Sequence, residues 1–339
     1  MKTRLAKPTE KNIETACKLL RSGEVVGVPT ETVYGLAGDC RNESAVEKIF
    51  IAKGRPQDNP LIVHISSMKM LDGLVSYVPE DAKTLAKHFW PGPLTIIMPK
   101  GPLVCEKTCA GLDSVGIRMP SHPIAREIIE KSQVPFAAPS ANLSGKPSPT
   151  TAEDVFADMN GRVPLIIDGG ICDAGVESTV VSVLGNNPII LRPGIITKEQ
   201  MEKVLHKKVE IAKAITEDIK SDEKVLSPGM KYKHYSPNAK VVILKGGFAK
   251  FKKYVEEKNA DGVYAMCFDG EDKKLSIPAI CYGKAQSPKD QAHNLFATLR
   301  KVDKLGAKIV YARCPKLDGI SLAVYNRLIR SAGFDILEI

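Results

Sequence analysis

Short apolar runs recur through the first 200 residues, and they limit what this chain can fold into more than any other feature. VVGVP (25–29), LIVHI (61–65), LTIIM (94–98), VGIRM (115–119), PFAAP (135–139), LIID (165–168) and STVVSVL (178–184) have the length of strands and are too short for helices. Helix-like segments separate several of them. Thr9 to Arg21 reads as an amphipathic helix, with Thr9 as its cap, Gly23 as its stop and Ile13, Ala16, Cys17 and Leu20 as its apolar stripe. Ser44 to Lys53 reads as another, stopped by Gly54, and helices also fit 80–89, 123–132 and 151–159. This pattern calls for an α/β domain with one large twisted sheet covered by helices. Antiparallel stretches near 178–192 make the expected sheet mixed, not purely parallel.

The pattern stops at about residue 207. Residues 207–224 are charged and weakly periodic, and SPGMKYKHYSPN (227–238) is rich in Pro, Gly and Tyr, as in a loop. Its chemistry is too particular for a passive spacer. Alternation then resumes. Strands at 241–246, 262–267 and 308–313 are interleaved with helices at 248–258, 288–304 and 319–331. This predicts a smaller, Rossmann-like parallel α/β domain. It has no G-x-G-x-x-G, so dinucleotide binding there is unsupported. The expected division is 1–206 for the catalytic domain, 207–238 for a linker and 239–339 for a C-terminal domain.

The chain carries a formal net charge of +9. A solvated basic surface and an anionic partner both fit that number. The eight cysteines are scattered, with no CxxC pair and no zinc-ligand spacing, which suggests reduced thiols in a cytoplasm. No apolar signal core opens the sequence, and no run approaches the roughly 20 apolar residues of a membrane helix. No membrane association is expected.

Polar clusters fall where strands end, which is where open α/β sheets bind ligands. PTETVYGL (29–36) follows the first strand and also reads as ordinary turn chemistry. Lys53 and Arg55 leave a helix end, where cations are favoured in any case, and Asn59 enters the next strand. His64 is either a site residue or a satisfied core histidine. Arg118, inside an apolar strand, either faces solvent by alternation or is buried and paired. Ser140, Asn142, Ser144 and Ser148 lie in a Gly/Pro-rich loop of the kind that wraps phosphates or simply turns. Ser178 opens a strand and Arg192 ends one. SGKP (144–147) is no P-loop, because Pro147 replaces the magnesium-ligating hydroxyl and Ser140 the first glycine. Cations, hydroxyls and amides dominate the set, which suits holding a polyphosphate better than abstracting a proton.

In order along about 170 residues stand PTETVYGL, the KxR of Lys53 and Arg55, RPxxNPLIVHI, WPGPLT, AGLDSVGIRMPSHP, APSANLSGKPSPT, GVESTVV and LRPG. Together they resemble the YrdC-type domain of threonylcarbamoyl-AMP synthases. The linker SPGMKYKHYSP and the following α/β domain resemble the long, two-domain form, and no site position departs from the family's pattern. The resemblance implies a concave domain and the reaction of L-threonine, bicarbonate and ATP to threonylcarbamoyl-AMP, diphosphate and water. That reaction is the first step of threonylcarbamoyladenosine (t6A) formation in tRNA.

By the same likeness Thr32, His64, Arg118 and Ser178 would hold threonine, with backbone around Ala138. Lys53, Arg55, Asn59, Ser114, Ser140, Asn142, Ser148 and Arg192 would hold ATP, and Lys53, Arg55, Ser140 and Asn142 form the family's KxR and SxN signature. Tyr232 of the linker would close over the nucleotide as part of a lid, with the share of Tyr235 left open. Magnesium is implied on the ATP phosphates, with no metal ligands from protein side chains. Implied partners include tRNA or a downstream transfer enzyme. The rival reading is a double-stranded RNA or tRNA binding module without catalysis. Such binders spread cations over an extended face, whereas these alternate with Ser, Thr and Asn at strand ends.

Overall fold

The computed structural model describes residues 2–215 and 234–339. These fall into two compact units, one built mainly on the residues before 216 and one on those after 233. In the first unit, eleven strands among the described residues form one sheet. From edge to edge they are Arg4–Ala6, Leu165–Ile167, Val26–Val28, Gly35–Asp39, Phe136–Ala137, Ile62–His64, Ser114–Arg118, Leu94–Pro99, Thr179–Ser182, Ile189–Arg192 and Glu210–Ile211. The sheet is mixed, as expected. Ile62–His64 runs parallel to Ser114–Arg118, whereas Leu94–Pro99 pairs with Ser114–Arg118 antiparallel. Glu210–Ile211 pairs with Ile189–Arg192, so the sheet continues past residue 206.

The helix Glu10–Arg21 forms where the stripe and cap place it. Thr9 accepts from the Asn12 amide, and Ile13, Ala16, Cys17 and Leu20 are buried. They pack with Ile128, Ile129 and Phe136 against Val26, Val28 and Leu165. Removing Ile13 and Leu20 from water stabilises the layer by about 1.5–3 kcal/mol each. The helix Glu43–Lys53 is capped by Asn42 and ends at Gly54 in the left-handed conformation (φ 60°). That stop fixes the position of Lys53, its last residue.

One element departs from the sequence pattern. The Tyr34-Gly35 step reads as a turn, but Gly35 begins a strand antiparallel to Val26–Val28. The reversal occurs earlier, where Thr30 Oγ1 accepts from the Thr32 and Val33 amides and donates to Val33 O at 2.6 Å. A Cβ on Gly35 would stand 3.1 Å from Ala138 Cβ, so this close approach favours glycine. Gly, Ala and Asp are poor strand formers, which left no periodic signal in this segment.

The second unit carries five strands, all parallel, in the order Ala279–Cys281, Val263–Cys267, Ile309–Arg313, Lys240–Lys245 and Ile336–Glu338. Val242, Leu244, Phe251, Val255 and Ala265 form part of its core. Most of the linker, including Tyr232, lies outside the described residues. Tyr235 is buried, with its ring 5.1 Å from that of Phe296. No helix among the described residues is long and apolar enough to cross a membrane.

Candidate functional site: two polar sets on one sheet

Arg118 ends the Ser114–Arg118 strand and is only 4% exposed, so the buried and paired alternative holds and the solvent-facing one does not. Its NH1 donates to Thr32 Oγ1 at 2.8 Å, and its NH2 forms an ion pair with Glu31. His64 stands opposite Arg118 in the parallel register. Its ring stacks on Phe136 at 5.6 Å. Its Nδ1 lies 3.2 Å from Ile62 O, an acceptor only, so Nδ1 carries the hydrogen and Nε2 is left as an acceptor. The Ala138 amide donates to the same carbonyl at 3.0 Å.

Ser178 is joined to this set from the head of the strand two places along the sheet. Its Oγ shares a 2.8 Å hydrogen bond with Thr95, which is itself paired with Arg118. Arg192 donates from Nε to Ser178 O and from NH2 to Ser178 Oγ, both at 3.1 Å. The structure therefore places Arg192, an expected ATP ligand, directly on an expected threonine ligand. Gly194 follows because a Cβ there would lie 2.4 Å from the Thr179 amide nitrogen.

A second set gathers on Lys53. Its buried Nζ donates to Ser140 O and, at 2.8 Å, to Asn142 O. Ser140 Oγ donates to Asn142 Oδ1 at 2.6 Å, and the Ser144 amide donates to Lys53 O at 2.9 Å. One helix end thus organises the whole 140–144 loop. Arg55 NH2 donates to Asn59 O at 3.3 Å. The Asn59 side chain is buried, and neither its Oδ1 nor its Nδ2 meets a partner among the described residues. Ser148 Oγ is fully buried and donates to Glu177 Oε1.

Backbone hydrogen bonds tie the two sets together. The Ala141 amide donates to Tyr34 O, the Tyr34 amide to Pro149 O and the Leu36 amide to Pro139 O. Ser114, Gly116 and Arg118 share one face of their strand by period-two alternation. Ser114 lies at one end and Arg118 at the other, roughly 13 Å apart at about 3.3 Å per residue. Gly116, between them, adds no side chain of its own, and Thr95 Cγ2 packs over it, 3.1 Å from where a Cβ would stand.

Charges inside the set are strongly perturbed. Burial, and then the neighbouring Arg118 charge, push the His64 imidazole down to about 3, against the opposing pull of Glu31. His64 is therefore neutral at physiological pH. Burial raises the Glu31 carboxyl, but the Arg118 charge and hydrogen bond outweigh it and hold it below the usual value.

The His64 shift carries a stability cost with a definite sign. Unfolded histidine binds its proton near 6.5 and the folded one near 3, so stability is complete above 6.5 and declines as pH falls through that window. Between pH 7 and pH 5 His64 should remove about 2 kcal/mol of stability. Equilibrium unfolding at the two pH values should show that loss in the native chain and not in His64→Gln.

Sequence reasoning passed over two participants. Glu31 and Glu177 sit inside quoted motifs, but no local signal shows which cation or hydroxyl each would meet.

Comparisons with known proteins point to one family. A Sua5, YciO and YrdC family model described as telomere recombination matches residues 18–194. A second, described as the threonylcarbamoyl-AMP synthase C-terminal domain, matches residues 196–333. A threonylcarbamoyl-AMP synthase of Pyrococcus abyssi is 42% identical over 97% of this chain and 96% of the relative. One of Bacillus subtilis is 44% identical over 96% and 94%. The structure of P. abyssi Sua5 complexed with L-threonine superposes with a TM-score of 0.90 at 40% identity, covering 99% of this chain and 98% of that one.

Proposed function

The chain belongs to the threonylcarbamoyl-AMP synthase family, in its two-domain form, and from that premise we propose how its residues share the reaction. The reaction is L-threonine + bicarbonate + ATP → threonylcarbamoyl-AMP + diphosphate + water, a nucleotidyl transfer. The observation that carries this reading is the buried Arg118, aimed by Thr32 in the same unit as the Lys53–Ser140–Asn142 set. A guanidinium at this depth suits a carboxylate, because its planar fork can bind both oxygens. P. abyssi Sua5 complexed with L-threonine supports an amino acid as a ligand of this fold.

Threonine is held by its carboxylate on Arg118, with Thr32, Ser178, His64 Nε2 and the Ala138 backbone around the remaining polar groups. Its amine captures bicarbonate-derived carbon dioxide as a carbamate. The carbamate oxygen attacks the α-phosphorus of ATP, and diphosphate leaves. Lys53, Arg55, Ser140, Asn142, Asn59, Ser114, Ser148 and Arg192 position the nucleotide. Three anionic groups must meet in one place, and the cations offset their repulsion. The donors in this set suit phosphate oxygens directly, so magnesium is proposed to arrive on the ATP phosphates with its own waters. Tyr232 and the linker are proposed as the lid that excludes water from a readily hydrolysed product. The adenylate would pass to a transfer enzyme acting on tRNA, in the cytoplasm, a setting that suits eight free thiols.

Diphosphate release assayed with each substrate omitted in turn tests the proposal. Release should need threonine, bicarbonate and ATP together. Release that ignores threonine or bicarbonate would overturn this reaction, and binding of duplex RNA without any turnover would favour the binding-module reading.

A further inference from the structure

Arg118 already holds a carboxylate. Its NH2 lies 2.7 Å from Glu31 Oε1, and the two side chains are 5% and 9% exposed. Beyond this ion pair the Glu31 carboxylate is sealed from solvent with only loose contacts to its own and the Ser121 amides, and Arg118 Nε has no hydrogen bond among the described residues. Folded proteins rarely leave so many buried polar atoms unmatched at one point unless a ligand completes the set. The arginine is meanwhile kept on aim by Thr32, which takes NH1 and leaves the other edge of the fork to the carboxylate.

We propose that Glu31 stands in for the substrate's carboxylate on Arg118 and, once displaced by it, becomes the counter-ion of the substrate's ammonium group. The inference rests on reading Arg118 as the anchor of the threonine carboxylate, and it adds a positioning and selectivity role for Glu31.

Charge balance supports the exchange. Arg118 and Glu31 sum to zero before binding. A zwitterion adds no net charge and can insert between them, giving the order guanidinium, substrate carboxylate, substrate ammonium, Glu31 carboxylate. Each charge then has an opposite neighbour. A simple carboxylate would leave two anions competing for one guanidinium, and a simple amine would have to share Glu31 with Arg118. Both are costly at this depth. The displaced carboxylate also has other groups nearby. The Ser121 amide helps to hold Glu31 in its charged form. His122, whose Nδ1 has no partner among the described residues, feels the same carboxylate.

The test is calorimetric binding of L-threonine and of (R)-3-hydroxybutyrate, which is threonine without its amino group, to the full chain. The native protein should prefer threonine strongly. In Glu31→Gln the competing carboxylate and the ammonium partner are lost together, so threonine binding weakens and hydroxybutyrate binding strengthens. The preference should fall by roughly 100-fold. Glu31→Asp keeps the charge and should keep the preference within about threefold while weakening threonine, which preserves a test if Glu31→Gln folds poorly. A counter-ion that only supports the fold would lower both affinities together. An unchanged preference in Glu31→Gln, or a collapsed one in Glu31→Asp, overturns the proposal. Glu31→Gln combined with Arg118→Gln should bind neither ligand. If that pair still binds threonine at native affinity, the assignment of Arg118 fails, whatever Glu31 does.

Discussion

Arg118→Ala is expected to end threonine-dependent diphosphate release, lowering kcat/KM for threonine by roughly 10³-fold while ATP still binds. The size follows from the environment of the side chain. It is buried, aimed by Thr32 and paired with Glu31, and truncating one partner of such a desolvated charge pair costs about 2–5 kcal/mol in binding. ATP should be largely spared because Lys53, Ser140 and Asn142 form a separate set and Ser114 lies at the other end of the strand, roughly 13 Å along it, although Arg192 sits on the threonine side. The substitution also leaves the Glu31 carboxylate buried without its cation, which should reduce folding stability by about 3–5 kcal/mol. Three readouts therefore belong together: turnover at saturating ATP, calorimetric ATP affinity, and equilibrium unfolding. Normal turnover in a folded Arg118→Ala protein would remove the threonine assignment.

Lys53→Met should do the opposite, losing ATP and sparing threonine. The Lys53 ammonium is buried and hydrogen-bonded to two backbone carbonyls of the loop it organises, those of Ser140 and Asn142. Methionine fills most of the volume and donates nothing. Each charged hydrogen bond to a carbonyl contributes about 1.5–3 kcal/mol, so a combined loss of about 3–6 kcal/mol of stability is expected. The freed 140–142 segment would no longer present Ser140 and Asn142 in one arrangement, and ATP affinity should fall by at least about 100-fold, the effect of misplacing a positioning group. Threonine affinity, measured without nucleotide, should stay within about threefold. An unchanged ATP affinity would show that Lys53 only supports the fold. The Arg118→Ala and Lys53→Met outcomes together separate the two sets, which no single variant can do.

Local pattern carried a good deal of this protein. Strand runs and amphipathic stripes are set by residues within a few positions of one another, so Ile13, Ala16, Cys17 and Leu20 marked a helix and its buried face without any partner in view. The parallel character of the second unit was legible for the same reason. The order of the motifs, from PTETVYGL to LRPG, was enough to mark the family. Gly35–Asp39 was hidden because its residues carry no strand propensity, and the strand exists only because its neighbours need a partner there.

Candidate site residues could thus be named from sequence, but not their pairings. Lys53 reaches Ser140 across 87 positions, and Arg118 reaches Thr32 across 86. Ser178 receives Arg192, and Ser148 finds Glu177. Each of these contacts depends on which strands lie side by side and in what register, and that is decided by packing the whole sheet. The same packing sealed Arg118 from water and turned an ambiguous arginine in a strand into a buried cation holding Glu31. Strand alternation alone put Arg118 on the face opposite Val115 and Ile117 and could not say whether a neighbour would cover it there.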